Sequence, residues 1–272
     1  MNFVTHGLSH GPILVCLPGL IGGPEDFRDI IVGLRDHFRI LIVDPNAERR
    51  EQEGLNLSTA TMLEISFDTT AVTLRDELLR SYRDQRYFFL GVSLGGKVVY
   101  DFALRFPELF AGGVITDVGL SPFGDSELFK VIEGIVDHTD LNLPWTEIKR
   151  SLQDLIPDKN LRILIQTQIA YPEKKPPAVW KTGMKNFEAL LKRQTLDDQV
   201  DRYAAVDGTL TAAGKRIVVL HAEKMSGIST PGHQVLKGMK SIQLVEVPGS
   251  THLLHVTHKD EIADHVIALK SK

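Results

Sequence analysis

The sequence predicts an α/β protein in which a mostly parallel central sheet, flanked by helices, is interrupted by a helical insertion. Three observations lead there. Short apolar runs such as Ile13-Leu14-Val15-Cys16-Leu17 have the pattern of strands buried on both faces. Helical segments with one apolar stripe alternate with these runs. Between about residues 120 and 213 the alternation stops, and helical patterns continue without a convincing buried strand.

In chain order, Leu17 leads into the turn Pro18-Gly19. Residues 24–37 then space Phe27, Ile30, Ile31 and Leu34 as one helix face, with Pro24 suited to the first turn and Glu25 and Asp26 at the positive end of the dipole. The run Arg39-Ile40-Leu41-Ile42-Val43-Asp44 completes strand, helix, strand. A helix over 69–83 turns Val72, Leu74, Leu78 and Leu79 inward, and a strand over 87–90 breaks at Gly91. Next come a helix over 97–106, ended by Pro107, and a strand over 113–116. Helical patterns cover 127–137, 146–155, 160–170 and 186–193, after which strands at 216–221 and 242–247 alternate with helices at 231–239 and 259–269. The stretches 48–53 and 174–177 read as solvated loops. The expected division is a core of residues 1–119 and 214–272 with a helical cap of residues 120–213.

Composition narrows the function. The 31 Lys and Arg against 35 Asp and Glu leave a net charge of −4, with no basic block to follow a phosphate backbone, so nucleic acid is not the expected partner. The single cysteine, Cys16, cannot form an intramolecular disulfide, so folding does not require an oxidising compartment. Residues 1–12 lack the basic and apolar regions of a secretory signal, and no apolar run approaches the ~18 residues of a membrane span. A cytoplasmic protein, monomer or homodimer, is expected.

The most informative stretch is Tyr87-Phe88-Phe89-Leu90-Gly91-Val92-Ser93-Leu94-Gly95-Gly96-Lys97, which sets G-x-S-x-G between an expected strand and an expected helix. That context suits a serine on a tight strand-to-helix turn, with Ser93 Oγ projecting into a cleft and the Leu94 N–H aimed where an oxyanion forms. Neither G-x-G-x-x-G nor G-x-x-x-x-G-K-[ST] occurs at this position, so a phosphate cradle is not expected. A serine nucleophile needs a base near the working pH, and the sequence has 10 histidines to supply it.

Over nearly its whole length the chain resembles the α/β-hydrolase fold family. The resemblance implies a second oxyanion donor at Leu20, within Leu17-Pro18-Gly19-Leu20-Ile21-Gly22-Gly23, where Pro18 stands in place of the usual histidine. It puts the catalytic histidine after the last strand, at His252, with His255 as the fallback. The family's usual acid position falls on Met225 in His221-Ala222-Glu223-Lys224-Met225, so the usual acid is missing. A variation within the family carries the acid after the strand that follows the serine turn, where Asp117 stands in Thr116-Asp117-Val118-Gly119. The expected set is therefore Ser93, Asp117 and His252, with Glu223 the runner-up acid.

The early acid, Gly96-Lys97 after the serine turn, and Lys175-Pro176-Pro177-Ala178-Val179-Trp180 resemble the bacterial YbfF-type small serine esterases. That resemblance implies a carboxylesterase for short- to medium-chain acyl esters, with a cap over the pocket. The expected partner is a small acyl ester, and no cofactor is expected. His252 and His255 lack a third ligand, so no metal is expected either. Serine at 93 argues against the related dehalogenases and epoxide hydrolases that use aspartate. A thioesterase, a carbon–carbon bond hydrolase and a ligand receptor on the same scaffold remain alternatives. Phe123, Phe129, Trp145, Trp180, Met184 and Phe187 either line an acyl pocket or form the cap's own core.

Overall fold

The computed structural model describes residues 1–44, 67–83, 85–119, 126–173, 175–181, 184 and 200–271. The chain begins with β1 (Asn2–Gly7) and β2 (Ile13–Leu17), followed by a 3-10 turn (Pro24–Phe27), α1 (Arg28–Leu34) and β3 (Arg39–Asp44). Next come α2 (Phe67–Ser81), β4 (Tyr87–Val92), α3 (Leu94–Arg105) and β5 (Phe110–Thr116). The following stretch holds α4 (Glu127–His138), α5 (Trp145–Leu155), α6 (Lys159–Thr167), β6 (Ile169–Ala170), β7 (Val179–Trp180) and α7 (Val200–Ala212). The chain then returns to the sheet with β8 (Ile217–Ala222), α8 (Thr230–Gly238), β9 (Ile242–Val247), α9 (Leu254–Thr257) and α10 (Lys259–Ala268).

Among the described residues, the main sheet has seven strands in the order β1-β3-β2-β4-β5-β8-β9. Only β1 runs antiparallel, with Asn2 opposite Asp44; the other neighbours are parallel and therefore need crossovers, which the helices supply. Alternation along each strand divides the core in two. Leu14, Cys16, Ile40, Ile42 and Leu220 face α1 and α10, while Ile13, Val15, Leu41, Phe89 and Val219 face α2 and α3. Both sides are fully covered, which is why these strands read as unbroken apolar runs. The Phe89 ring lies 4.7 Å from Phe102 and 5.5 Å from Phe110, tying β4, α3 and β5 together immediately below Ser93.

The structure departs from the sequence reading in several places. The edge strand β1 was not expected. The helix expected over 24–37 begins as a 3-10 turn, and α3 begins at Leu94 rather than 97. The helix expected over 160–170 ends at Thr167, because Ile169 and Ala170 instead pair with Trp180 and Val179 in a two-stranded ribbon. Helix α7, also not expected, buries Val206 and Leu210 and packs against α3. The expected helix at 186–193, the loop at 48–53, Lys174, Phe123 and Phe187 lie outside the described residues.

Candidate active site

The C-terminal edge of a parallel sheet gathers the ends of its strands and the loops that leave them. Ser93 follows β4 there, with φ 48° and ψ −118°, in a region that a residue with a Cβ enters only when its surroundings force it. Two backbone bonds apply that force: Ser93 N–H donates to Thr116 O at 3.0 Å, and Gly96 N–H donates to Ser93 O at 2.8 Å. The turn also needs glycine at 91, where a Cβ would sit 2.6 Å from the Gly96 Cα. Leu94 is the first residue of α3, so its N–H has no acceptor within the helix and lies at the positive end of the helix dipole.

Asp117 lies one residue beyond β5 and is also held at positive φ, 47°. Its N–H donates to Leu220 O at 2.7 Å, extending the β5–β8 pairing by one step. The carboxylate has no solvent exposure and is fully engaged. Oδ1 accepts from Ala222 N–H at 2.9 Å and Ser226 O–H at 2.6 Å, while Oδ2 accepts from Gly227 N–H and the His252 ring, both at 2.7 Å. Burial alone would raise its pKa. The hydrogen bond and charge of His252, with the Ser226 and Ala222 bonds, outweigh burial and hold the carboxyl below the usual carboxylate range.

His252 lies between β9 and α9, with Nδ1 on Asp117 and Nε2 3.0 Å from Ser93 Oγ. Several bonds fix its loop. The Ser250 hydroxyl donates to Val247 O at 2.6 Å and accepts from Glu223 N–H at 3.3 Å, and the Thr251 hydroxyl donates to Asp158 Oδ2 at 3.0 Å. Asp117, His252 and Ser93 thus form one hydrogen-bonded line joining the ends of β5, β9 and β4. With Nδ1–H held by a carboxylate, Nε2 is left as the acceptor facing the hydroxyl, the arrangement that lets an imidazole take a serine proton.

The two fallback residues stand elsewhere. Glu223 points to the turn between β9 and His252, where Oε2 accepts from Gly249 N–H at 2.6 Å, and it makes no bond to His252. His255 is buried on α9, and its pKa is pushed down to about 4, first by burial and then by the charge of His252. Its Nδ1 has no partner among the described residues, and the ring is not bonded to Ser93. Among the described residues, no group of three or more His, Cys, Asp or Glu side chains is arranged to hold a metal ion. No helix among the described residues is long and apolar enough to cross a membrane.

Ser93 and His252 open onto a cavity with about 70 Å³ in which the centre of a water molecule can sit. Leu20 and Gly19 form one wall, and a Cβ on Gly19 would lie 3.5 Å from Ser93 Cβ, so this loop faces the serine closely. The opposite wall is apolar: Leu128, Phe129 and Ile132 from α4, Leu161 and Leu164 from α6, and Met184. Of the aromatics considered from sequence, Phe129 lines the cavity, while Trp145 is partly exposed and stacks edge-on against Tyr171. Sequence reasoning missed two features. Ser226 and Gly227 grip Asp117 from the loop after β8, and the side chain of Asp26 reaches the cavity. A Gly-Gly pair before Pro24 was the available signal for the second.

The family model described as alpha/beta hydrolase fold matches residues 12–147. A 97-residue stretch is 34% identical to the 2-succinyl-6-hydroxy-2,4-cyclohexadiene-1-carboxylate synthase of Pectobacterium atrosepticum; it spans 35% of this chain and 34% of that relative. Among solved structures, a marine microorganism esterase superposes with a TM-score of 0.69 at 20% identity, covering 98% of both chains. The enol-lactonase of Burkholderia xenovorans LB400 superposes with a TM-score of 0.61 at 13% identity, covering 100% of this chain and 96% of that one.

Proposed function

Since the chain belongs to the alpha/beta hydrolase fold family, we propose that it is a serine carboxylesterase acting on short- to medium-chain acyl esters, in the manner of the YbfF-type enzymes. The observation that carries this reading is the line Asp117–His252–Ser93, with contacts of 2.7 and 3.0 Å, ending at an apolar cavity. Ser93 Oγ attacks the ester carbonyl while His252 Nε2 takes its proton. The N–H groups of Leu20 and Leu94 receive the oxyanion, an interaction in which each donor contributes about 3 kcal/mol of transition-state stabilisation. His252 then gives the proton to the departing alcohol. A water molecule, deprotonated by the same nitrogen, releases the acid from Ser93. Asp117 keeps the His252 tautomer and stabilises the imidazolium.

The helices α4 to α6 act as the cap in this reading, since they supply the apolar wall over the serine. No described residue lining the cavity is a lysine or arginine, which favours a neutral acyl chain over a carboxylate-bearing one such as the product named for the Pectobacterium relative. A thioester fits the same steps, because only the leaving group differs. A chain-length series of p-nitrophenyl esters from acetate to decanoate tests the reading. Turnover should peak on a short or medium chain and vanish in Ser93→Ala. Absence of turnover on every chain would overturn it.

A further inference from the structure

Among the described residues lining the cavity, one carries a carboxyl group. Asp26, the third residue of the Pro24–Phe27 turn, is partly buried and lines the same space as Ser93, His252 and Leu20. Its Oδ2 accepts from Gly23 N–H at 3.1 Å, a capping contact that uses half of the group. Among the described residues, Oδ1 has no hydrogen-bond or ion-pair partner. Room for the carboxyl is made by Gly22, where a Cβ would lie 2.9 Å from Asp26 Cγ. Burial first, and Glu25 next, push its pKa up to about 7 against the opposing Gly23 bond. With Oδ2 occupied by a donor, the proton of the neutral acid sits on Oδ1 as an unused hydrogen-bond donor.

Capping requires only an acceptor, and it leaves Oδ1 without a partner in a mostly apolar space. Resting on the esterase reading, we propose that Asp26 Oδ1 selects acyl chains bearing a second carbonyl oxygen, so that the preferred substrates are oxo-acyl esters or thioesters rather than plain alkyl ones. The Leu128, Phe129 and Leu161 wall receives the hydrocarbon part of such a chain.

Among the described residues, the charged and titratable groups facing Asp26 are Glu25 on its own turn and, in the cavity lining, His252 and His255, carried on and just before α9, which packs on that turn. His255 stays neutral over the working range. His252 acts on every substrate alike, so its contribution cancels in a ratio of two neutral esters.

The test compares phenyl esters of hexanoate with those carrying an oxo group at the third, fourth or fifth carbon, each corrected for its uncatalysed hydrolysis. At about pH 6, one oxo position should exceed its parent by ~10-fold in kcat/KM, the yield of one hydrogen bond, and the excess should fade by about pH 8.5 as Asp26 ionises. Asp26→Asn should keep the excess at both pH values, because its amide can still cap Gly23 through oxygen and donate through nitrogen. Asp26→Leu should lose the excess at both. Turnover with no oxo preference, or a preference that survives in Asp26→Leu, overturns the assignment while leaving the esterase standing. Absence of turnover on all four esters overturns both.

Discussion

Replacing Asp117 by asparagine probes the site most directly, because all four hydrogen bonds to its carboxylate are known. An amide offers one acceptor atom in place of two. If its nitrogen takes the Oδ1 position, Ala222 N–H loses its acceptor, while the Ser226 hydroxyl can rotate to accept. If the nitrogen takes the Oδ2 position, Gly227 N–H is orphaned and His252 must accept at Nδ1, which puts its proton on Nε2 and removes the base. Either orientation leaves one buried backbone donor unpaired, at about 1–3 kcal/mol. For a chain of this size that lowers Tm by roughly 4–8 °C, taking about 2 kcal/mol as the midpoint. Activity on the best p-nitrophenyl ester should fall on the order of 10⁴-fold, through the wrong tautomer or the loss of charge beside the imidazolium. The control is Glu223→Gln, whose amide oxygen still accepts from Gly249, and whose activity should stay within about threefold of wild type. Calorimetry and kcat for the two variants decide the matter. Near-wild-type turnover in Asp117→Asn together with collapse in Glu223→Gln would refute the reasoning.

Further outcomes follow from the same geometry. Ser93→Gly should be inactive yet melt above the equally inactive Ser93→Ala, since only glycine is at ease at φ 48°, ψ −118°; the strain relieved is about 1–3 kcal/mol, read from the two melting curves. Gly91→Ala should cost about 1–3 kcal/mol, and roughly 100-fold in kcat/KM as the turn carrying Ser93 shifts. Cys16 is fully buried and its thiol pKa is pushed far up by desolvation, so a chromogenic disulfide should label no thiol in the native protein and one thiol per chain in denaturant. Asp26 has its folded pKa raised to about 7, so the folded state binds the extra proton between the usual carboxylate range and neutrality. Wild-type stability should therefore fall relative to Asp26→Asn as pH rises through that window, as urea midpoints at successive pH values would record.

The parts legible in the sequence were those governed by burial on both faces. Strands β2, β3, β4 and β8 appeared as apolar runs because helices cover both sheet surfaces there, and Ser93 was legible because its turn tolerates few residue types at its flanks. Strand β1 escaped notice because it is an edge strand with one partner and mostly exposed side chains, so Asn2–Gly7 carries little alternation. The start of α3 was placed late because Gly95 and Gly96 have poor helix propensity, and close packing rather than propensity holds that turn. Asp117 was reached only through a resemblance, since nothing local distinguishes it from an aspartate capping a turn. What identifies it in space is four donors, two of them backbone N–H groups over 100 residues away in sequence. Asp26 read as an ordinary first-turn acid, because the close approach that Gly22 permits is a three-dimensional fact.

The loop after β8 has a second attachment besides Asp117. Met225 N–H, next to Ser226, donates to Glu127 Oε2 at 2.9 Å, and Glu127 opens α4; on the other side, the Thr251 hydroxyl beside His252 donates to Asp158, which caps α6. Helices α4 and α6 therefore carry, at their starts, two carboxylates that hold the loops bearing on Asp117 and His252. For chimaera building this sets a limit on modularity: substituting another relative's helices could supply a pocket of any desired shape and still leave both loops slack. A functional splice would need to retain acceptors equivalent to those at positions 127 and 158, or place its junctions inside them.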